Sequence, residues 1–404
     1  MLSATGSPSS TSGLSILASN RPAPTYSPFA YTATTSGMKG TLQAFSASRE
    51  ANAFGPWSAN SELLKNEPLS QRGWALQERW LAPRILHFGS KQMFFECYCG
   101  FKSEEGFYME GRKDTLFPTT SQPSPPPSST DQIKPGTDRT IPITETEPIH
   151  QQWSSILHTY SRRLLTHPSD KLPALSGLAR TYQTITSDTY LAGFWQKTLL
   201  QNLIWQAVGK GPTASTSYRA PSWSWAAIDG GIGMFNPGVG FDEGEWSSLA
   251  TLHSAHITLK NEENPFGEVS AGELVLSAPL ERIYPFEGDL EEGEEWPKNH
   301  KAAKVKGQGG GSEDYNFAIF DSSKHAEGAR DRKLWVAVLW RHKIHEENKD
   351  LWKSKEVYHG IVVARVEGKQ DVYERLGKIP FADKDLGECE WMSDGSVVDR
   401  FTLV

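Results

Sequence analysis

The spacing of apolar and polar positions changes several times along the chain. Residues 1 to 60 keep no period; Ser, Thr, Ala, Gly and Pro dominate, and only short strand-like pieces are expected. "MLSAT" has the character of the end of a buried strand, yet nothing precedes it as a neighbour. From about Gln71 to Leu81 a helical period sets in, with Ser70 placed to cap it and Pro83 to stop it. Trp74, Gln77, Glu78 and Leu81 share one face of this helix. "RILHF", "GSK" and "QMFFECYC" then read as a β-hairpin with a short Gly-containing turn. The Pro-rich run within 111–149 forbids regular structure and reads as an extended or disordered loop.

Helical spacing returns over 150–208. Trp153, Ile156, Leu157, Tyr160 and Leu164 mark one helix, and "THPSDKLPALSGLARTY" opens a second with Pro173 near its first turn. "LAGFWQKTLLQNLIWQAV" reads as a third, with Trp195, Leu199, Leu203 and Gln206 close to one face. After residue 250 the period falls to two. "HITLK", "GELVLSAPLERI", "LWVAVLW", "HGIVVARV", "DVYERLGKI" and "DRFTLV" predict strands, most simply antiparallel, interrupted by a flexible loop at about 286–315. The fold class is therefore α+β. Its parts are a β-hairpin region over 1–110, the loop 111–149, a helical unit over 150–232 and an antiparallel β region over 250–404.

Composition narrows the partners. The 404 residues carry a net charge of -7, which argues against general nucleic-acid binding. No apolar run approaches the roughly 18 residues of a membrane-spanning helix, and the start lacks the pattern of a signal peptide. Three cysteines make no disulfide framework and fit a reducing, cytoplasmic setting. Fourteen tryptophans point to a core anchored by large aromatics.

Candidate chemistry is sparse. In "APSWSWAAIDGG" Trp223 and Trp225 would share one face of a strand, with Ser222 and Ser224 on the other and Asp229-Gly230 as a turn. Packing in the core, a ligand-stacking platform and a serine nucleophile are the three readings. The nucleophile elbow is absent, and no His lies close in sequence. Glu78, on a face with Trp74 and Leu81, would be partly buried; Arg72, Arg84 or Arg219 could pair with it to lock helix to hairpin, the alternative being a catalytic carboxylate. Cys97 and Cys99 share a strand face, but nothing in the spacing completes a metal site with Cys389. His342 and His345 do not form a zinc-protease motif and read as a solvated strand end and turn. "VGKGPT" and "DGGIGMFNPGVG" are weak nucleotide signals. No cofactor or metal is expected. Trp335, Trp340 and Trp352 could stack a ligand if the C-terminal sheet left them open, although "LWVAVLW" hints at burial on both faces.

Three stretches in order carry a family likeness: Pro68 to Cys97, Tyr160 to Ala179, and Arg219 to Gly230. The first contains Arg72, Gly73, Trp74, Leu76, Gln77, Glu78 and Arg79, then Pro83, Arg84, Leu86 and Phe88, then Glu96 and Cys97. The third contains Pro221, Ser222, Trp223, Ser224, Trp225 and Ala226, followed by Asp229 and Gly230. Together they resemble fungal heterokaryon-incompatibility proteins, those with a HET domain. The upstream Leu-Ser-Tyr-x-Trp-Gly and Trp-Ile-Asp-x-x-Cys-Ile motifs of that family are not in this chain, so the resemblance implies a truncated α/β HET remnant. It further implies nonself recognition and programmed cell death signalled through a protein partner. The family's likeness to Toll/interleukin-1-receptor domains implies NAD cleavage as the alternative, with a ligand-binding β module as a third.

Overall fold

The computed structural model describes residues 2–3, 27–32, 39–44, 64, 66–90, 92–97, 100–104, 108–110, 143–235, 244–285, 300–305, 316–329, 331–344, 356–382 and 398–404. The chain divides into two compact units, Met1–Arg139 with Arg163–Thr166, and Thr140–Arg162 with His167–Val404. Both combine helices and strands, and the fold class is α+β.

The first unit holds β1 (Leu2–Ser3), β2 (Ser27–Thr32), β3 (Lys39–Ala44), α1 (Gly73–Leu81), β4 (Arg84–Phe88), β5 (Met93–Cys97), β6 (Gly100–Ser103) and β7 (Tyr108–Glu110). The expected hairpin is β4–β5, from Arg84↔Cys97 to Phe88↔Met93. It grows into a five-stranded sheet in the order β1-β4-β5-β6-β7, while β2 and β3 pair separately. The neighbour that "MLSAT" needs is β4, alongside which β1 runs in parallel with Leu2 opposite Leu86. Helix α1 starts later than expected, and Arg72, not Ser70, occupies the cap position. Pro68 opens a separate 3-10 turn, and the chain then leaves helical geometry at Arg72 to pair with Leu164. The Leu164 N–H donates to the Gln71 carbonyl at 2.7 Å, and the Gly73 N–H donates to the Leu164 carbonyl at 2.8 Å. Leu164 is thus an extended, exposed residue of this unit and not part of a helix. The buried face of α1 is Gly73, Ala75 and Leu76, whereas Trp74, Glu78 and Leu81 face solvent.

In the second unit, α2 (Ile143–Tyr160) begins inside the span expected as loop, of which 111–142 lies outside the described residues. Two 3-10 turns at Pro168–Lys171 and Pro173–Leu175 lead into α3 (Ser176–Thr186). The expected third helix is not formed. Its sequence makes the hairpin β8 (Tyr190–Leu191) and β9 (Phe194–Trp195), a 3-10 turn, the short α4 (Leu199–Asn202), and then enters β10 (Gln206–Ala214). The chain reverses here: Ala192 and Gly193 take φ of 45° and 102°, the two-residue turn that joins tight hairpins and that no right-handed helix admits. A Cβ at Gly193 would stand 2.3 Å from Trp225 Nε1, so only glycine fits. β11 (Ile228–Gly233) pairs antiparallel with β10.

The remaining elements are β12 (Gly244–Ser248), β13 (Thr251–Leu259), β14 (Val269–Ala278), β15 (Leu280–Pro285), β16 (His300–Val305), β17 (Asn316–Phe320), α5 (Ser323–Gly328), β18 (Leu334–Ile344), β19 (Glu356–Arg365), β20 (Val372–Ala382) and β21 (Asp399–Leu403). Every expected C-terminal strand forms. Two boundaries move and one pairing differs: the β region starts before residue 250, β16 lies inside the span expected as a loop, and β20 and β21 pair in parallel rather than antiparallel. The helical segment and the β region also share one compact unit instead of forming two.

Six of these strands close on themselves. β18 pairs with β19, β19 with β20, β20 with β17, β17 with β16, β16 with β15, and β15 with β18, all antiparallel. A closed barrel of this size is filled by side chains. Here the filling includes Ile283, Phe320, Val336, Val338, Val362 and Phe381, with Ala326 of α5 packed among them. At the β17–β20 seam Gly377 has no side chain because a Cβ there would lie 2.4 Å from the Ile319 carbonyl. β12 extends one end of β18, and β21, β14 and β13 extend β20 outward.

One buried cation joins the barrel to the helical layer. Leu376 is an extra residue in β20, since Val362 and Val363 face Gly377 and Arg375. Such a bulge re-aims side chains: Leu376 fills the barrel, and Arg375 leaves it. The Arg375 guanidinium donates to both oxygens of Asp321 at 2.9 Å, to the Trp205 carbonyl at 2.7 Å and to the Leu203 carbonyl, and it lies 4.0 Å from the Trp205 ring centre. Neither Arg375 nor Asp321 touches solvent. Arg375→Met is expected to destabilise the protein by about 3–5 kcal/mol because it strands a buried carboxylate, and Arg375→Met/Asp321→Leu to recover part of that loss. Urea midpoints at unchanged slope measure both.

Candidate functional site

The residues singled out from the sequence fall into two clusters, one in each unit. In the first, α1 brings Arg79 onto the same buried side as Leu76, three residues earlier. Arg79 Nε donates to Glu96 Oε2 at 2.9 Å, and the same oxygen lies 2.7 Å from His87 Nε2. His87 and Glu96 are both buried, so a carboxylate there requires these partners. The lock between helix and hairpin therefore exists, but Arg79 and Glu96 make it, not Glu78. Glu78 is exposed, as are Arg72 and Arg84, its expected partners; Arg219, the third, pairs instead with Asp229. Pro83 is exposed at the end of α1, Gln77 is half-buried, and Leu86, Phe88 and Cys97 are half-buried on the sheet. Glu67, not anticipated from the sequence, accepts from the Ser90 backbone N–H and hydroxyl at 2.9 and 2.7 Å, which ties the turn before α1 to the β4–β5 turn.

In the second unit "APSWSWAAIDGG" is not a strand up to Ala227. Residues 225–227 form a 3-10 turn, and Asp229-Gly230 lies in β11 instead of making a turn. Trp223 and Trp225 are fully buried, as are Ser224 and Ala226, and Pro221 is buried beside them. Ser224 caps the turn: its hydroxyl accepts from the Ala226 N–H at 3.1 Å and donates to the Ala192 carbonyl at 2.6 Å. Trp225 Nε1 donates to the Gly193 carbonyl at 3.4 Å, as Trp153 Nε1 does at 3.0 Å, and the Trp225 ring meets Tyr160 edge-on. Trp205 Nε1 donates to the Trp223 carbonyl at 2.9 Å. Ser222 reaches the other way. Its hydroxyl donates to the Val404 carbonyl and accepts from the Arg375 backbone N–H at 2.8 Å.

At the rim, Asp229 accepts a contact from Arg219 at 2.9 Å and from Lys171 at 3.3 Å. Arg219 Nε also donates to the Ala226 carbonyl at 2.7 Å, and Lys171 Nζ to the Ile228 carbonyl at 2.7 Å. Burial pushes the Lys171 amine down to about 8 against the opposing pull of Asp229. Burial alone would raise Asp229, yet Lys171 and Arg219 more than offset it and hold the carboxyl below its usual range.

This arrangement fixes backbone; it does not poise chemistry. Both serine hydroxyls of the motif are committed to main-chain carbonyls, so neither is set up as a nucleophile. Of the C-terminal tryptophans, Trp335 and Trp340 are half-buried among neighbours. Trp335 lies 4.7 Å below Arg282 and 5.5 Å from Arg365, with Tyr373 edge-on, and Trp340 Nε1 donates to the Leu200 carbonyl at 3.0 Å. Trp352, His345, Cys99 and Cys389 lie outside the described residues. His342 is buried, not solvated, because Trp246 stacks flat on it at 4.0 Å. "VGKGPT" lies in β10 and "DGGIG" in β11, an antiparallel pair without the strand–helix crossover of a nucleotide fold. Among the described residues no group of three or more His, Cys, Asp or Glu is placed to hold a metal, and no helix is long and apolar enough to cross a membrane.

The fold and these clusters define an α+β protein whose motif residues build a framework. No protein-family model, no curated protein and no solved structure matches the chain.

Two carboxylates eighteen residues apart, Glu78 and Glu96, test the assignment in the first unit. Glu96→Gln is expected to cost about 3 kcal/mol, since it removes the buried carboxylate charge that Arg79 faces and the oxygen that meets His87. Glu78→Gln should stay within about 0.5 kcal/mol. Thermal and urea unfolding of the two variants, run side by side, decide between them.

Proposed function

We propose that this chain is a fungal heterokaryon-incompatibility-type protein that signals nonself recognition and cell death through contact with a protein partner. The sequence support is the ordered set of motifs from Arg72 to Cys97 and from Pro221 to Gly230. The observation that carries the contact reading is the division of labour on α1. Its ionic residue Arg79 is spent on Glu96 inside the unit, while Trp74 and Leu81, seven residues apart on one side, stay 40% and 36% exposed around Glu78. A large aromatic at the surface with an acidic neighbour suits a recognition face better than a reaction centre.

The test is inducible expression of the full chain in a filamentous fungus, with uptake of a membrane-impermeant dye as the readout. Expression should raise the dye-positive fraction several-fold without lowering cellular NAD. Trp74→Glu/Leu81→Glu should abolish the effect at equal protein level and unchanged folding. Dye uptake at background for the unaltered chain at verified expression would refute the reading. A fall in NAD that precedes dye uptake would replace it with the NAD-cleaving alternative.

A further inference from the structure

On the outer side of the barrel, His359 of β19 is buried, and among the described residues neither of its ring nitrogens has a hydrogen-bond partner. A buried imidazole left unsatisfied is costly, and in folded proteins such groups usually have a reason. The cover over it is aromatic. Phe235, just beyond β11, sits 5.0 Å from the His359 ring, and Trp246 of β12 sits 5.1 Å from it. Trp246 also stacks on His342 of β18, at 4.0 Å and 8° between planes, and the two imidazoles are 6.4 Å apart. Among the described residues the titratable and charged groups facing His359 are His342 from β18 and Lys378 from β20, whose Nζ lies 5.9 Å from the Phe235 ring. From β12 and from the residue after β11 it meets only the rings of Trp246 and Phe235. Among the described residues β12 is a terminal strand of the sheet, five residues long and paired on one side with β18.

We propose that His359, beneath Trp246 and Phe235, is an acid-operated latch on the edge strand β12. A neutral His359 imidazole lets the aromatic cover close. A proton on His359 would place a second buried cation next to Lys378, and the strand carrying Trp246 is the piece that can leave. Burial is the main reason His359 resists the proton, with Lys378 and His342 adding to it; its pKa is pushed down to about 3 from an ordinary 6.5. The sign follows directly. The opened state takes up a proton below about pH 6.5 while the closed state does not, so closure is strongest above that pH and is lost as pH falls toward 3. Each pH unit below about 6.5 shifts the balance toward the open state by up to about tenfold.

Hydrogen exchange of the full chain, followed by mass spectrometry and corrected for the intrinsic pH dependence of exchange, reads this out. Peptides covering Gly244–Ser248 should lose protection about tenfold between pH 7.5 and 5.5, and about thirtyfold by pH 5.0, while the β19 and β20 peptides of the barrel hold. His359→Gln, uncharged at every pH, should abolish the acid response; His359→Phe serves as the second variant should the first not fold. An acid response unchanged in both variants would overturn the latch, as would protection of Gly244–Ser248 that does not vary with pH or a loss spread evenly over the barrel strands.

Discussion

The Arg375 guanidinium is held entirely out of water, and a charge in that position is tolerable only when its N–H groups are met and its charge is opposed. Asp321, from the end of β17, supplies the charge in a two-pronged contact, which fits the fixed geometry of the fork. The other acceptors are the carbonyls of Leu203 and Trp205, from the stretch between α4 and β10. The barrel strand, the segment leading to α5 and the helical layer are thereby required to meet at one point. A hydrophobic contact would tolerate sliding; four directed hydrogen bonds to one planar group do not. The backbone of the same residue donates to Ser222, so the tryptophan-bearing motif is registered to the barrel by the residue that registers the helices.

From Ser222 the constraint passes to the β8–β9 turn. Ala192 at φ 45° is in a region where a non-glycine residue is uncommon and costs about 1–3 kcal/mol, and such residues persist only where their surroundings over-determine them. The surroundings here are the Ser224 hydroxyl on the Ala192 carbonyl and two indole N–H groups on the Gly193 carbonyl. Trp153 comes from α2 and Trp225 from the motif, so one carbonyl gathers two distant segments. The two indoles beside the two serines are therefore answered as a framework: their bulk fills the core, and their N–H groups, with Ser224, hold a strained turn.

Much of this was legible from the chain, and the failures share a cause. Period-two strands such as "HGIVVARV" and "DVYERLGKI" were readable because alternation alone defines a strand. Barrel closure was not, because it depends on which strands meet, and β15 to β18 or β17 to β20 are long-range pairings with no local mark. "LAGFWQKTLLQNLIWQAV" has helical spacing, but the hairpin turn at Ala192-Gly193 is imposed by groups dozens of residues away. On α1, the apolar weight of Trp74 and Leu81 suggested the buried side, yet Arg79 is the residue that turns inward, because Glu96 and His87 wait there. A charged residue bound for the interior looks like a surface residue until its partner is known. Arg375, Asp321 and Lys171 are buried charges of this kind, with no local mark in the chain.

The barrel also explains where the molecule can give way. β18 runs eleven residues and β20 eleven, and each is engaged by different neighbours along its two halves. β15 takes the start of β18 and β12 its end, while β21 takes the start of β20 and β17 its middle. A stave of the closed ring cannot leave without breaking pairings on both sides. A strand at the end of the sheet pairs, among the described residues, with a single neighbour. β12 is such a strand, and its hold on β18 is reinforced through aromatic contact with two histidines rather than through a second ladder. Weakness and titratable chemistry thus coincide at the same edge, while Arg375 and the filled barrel stay rigid beneath it.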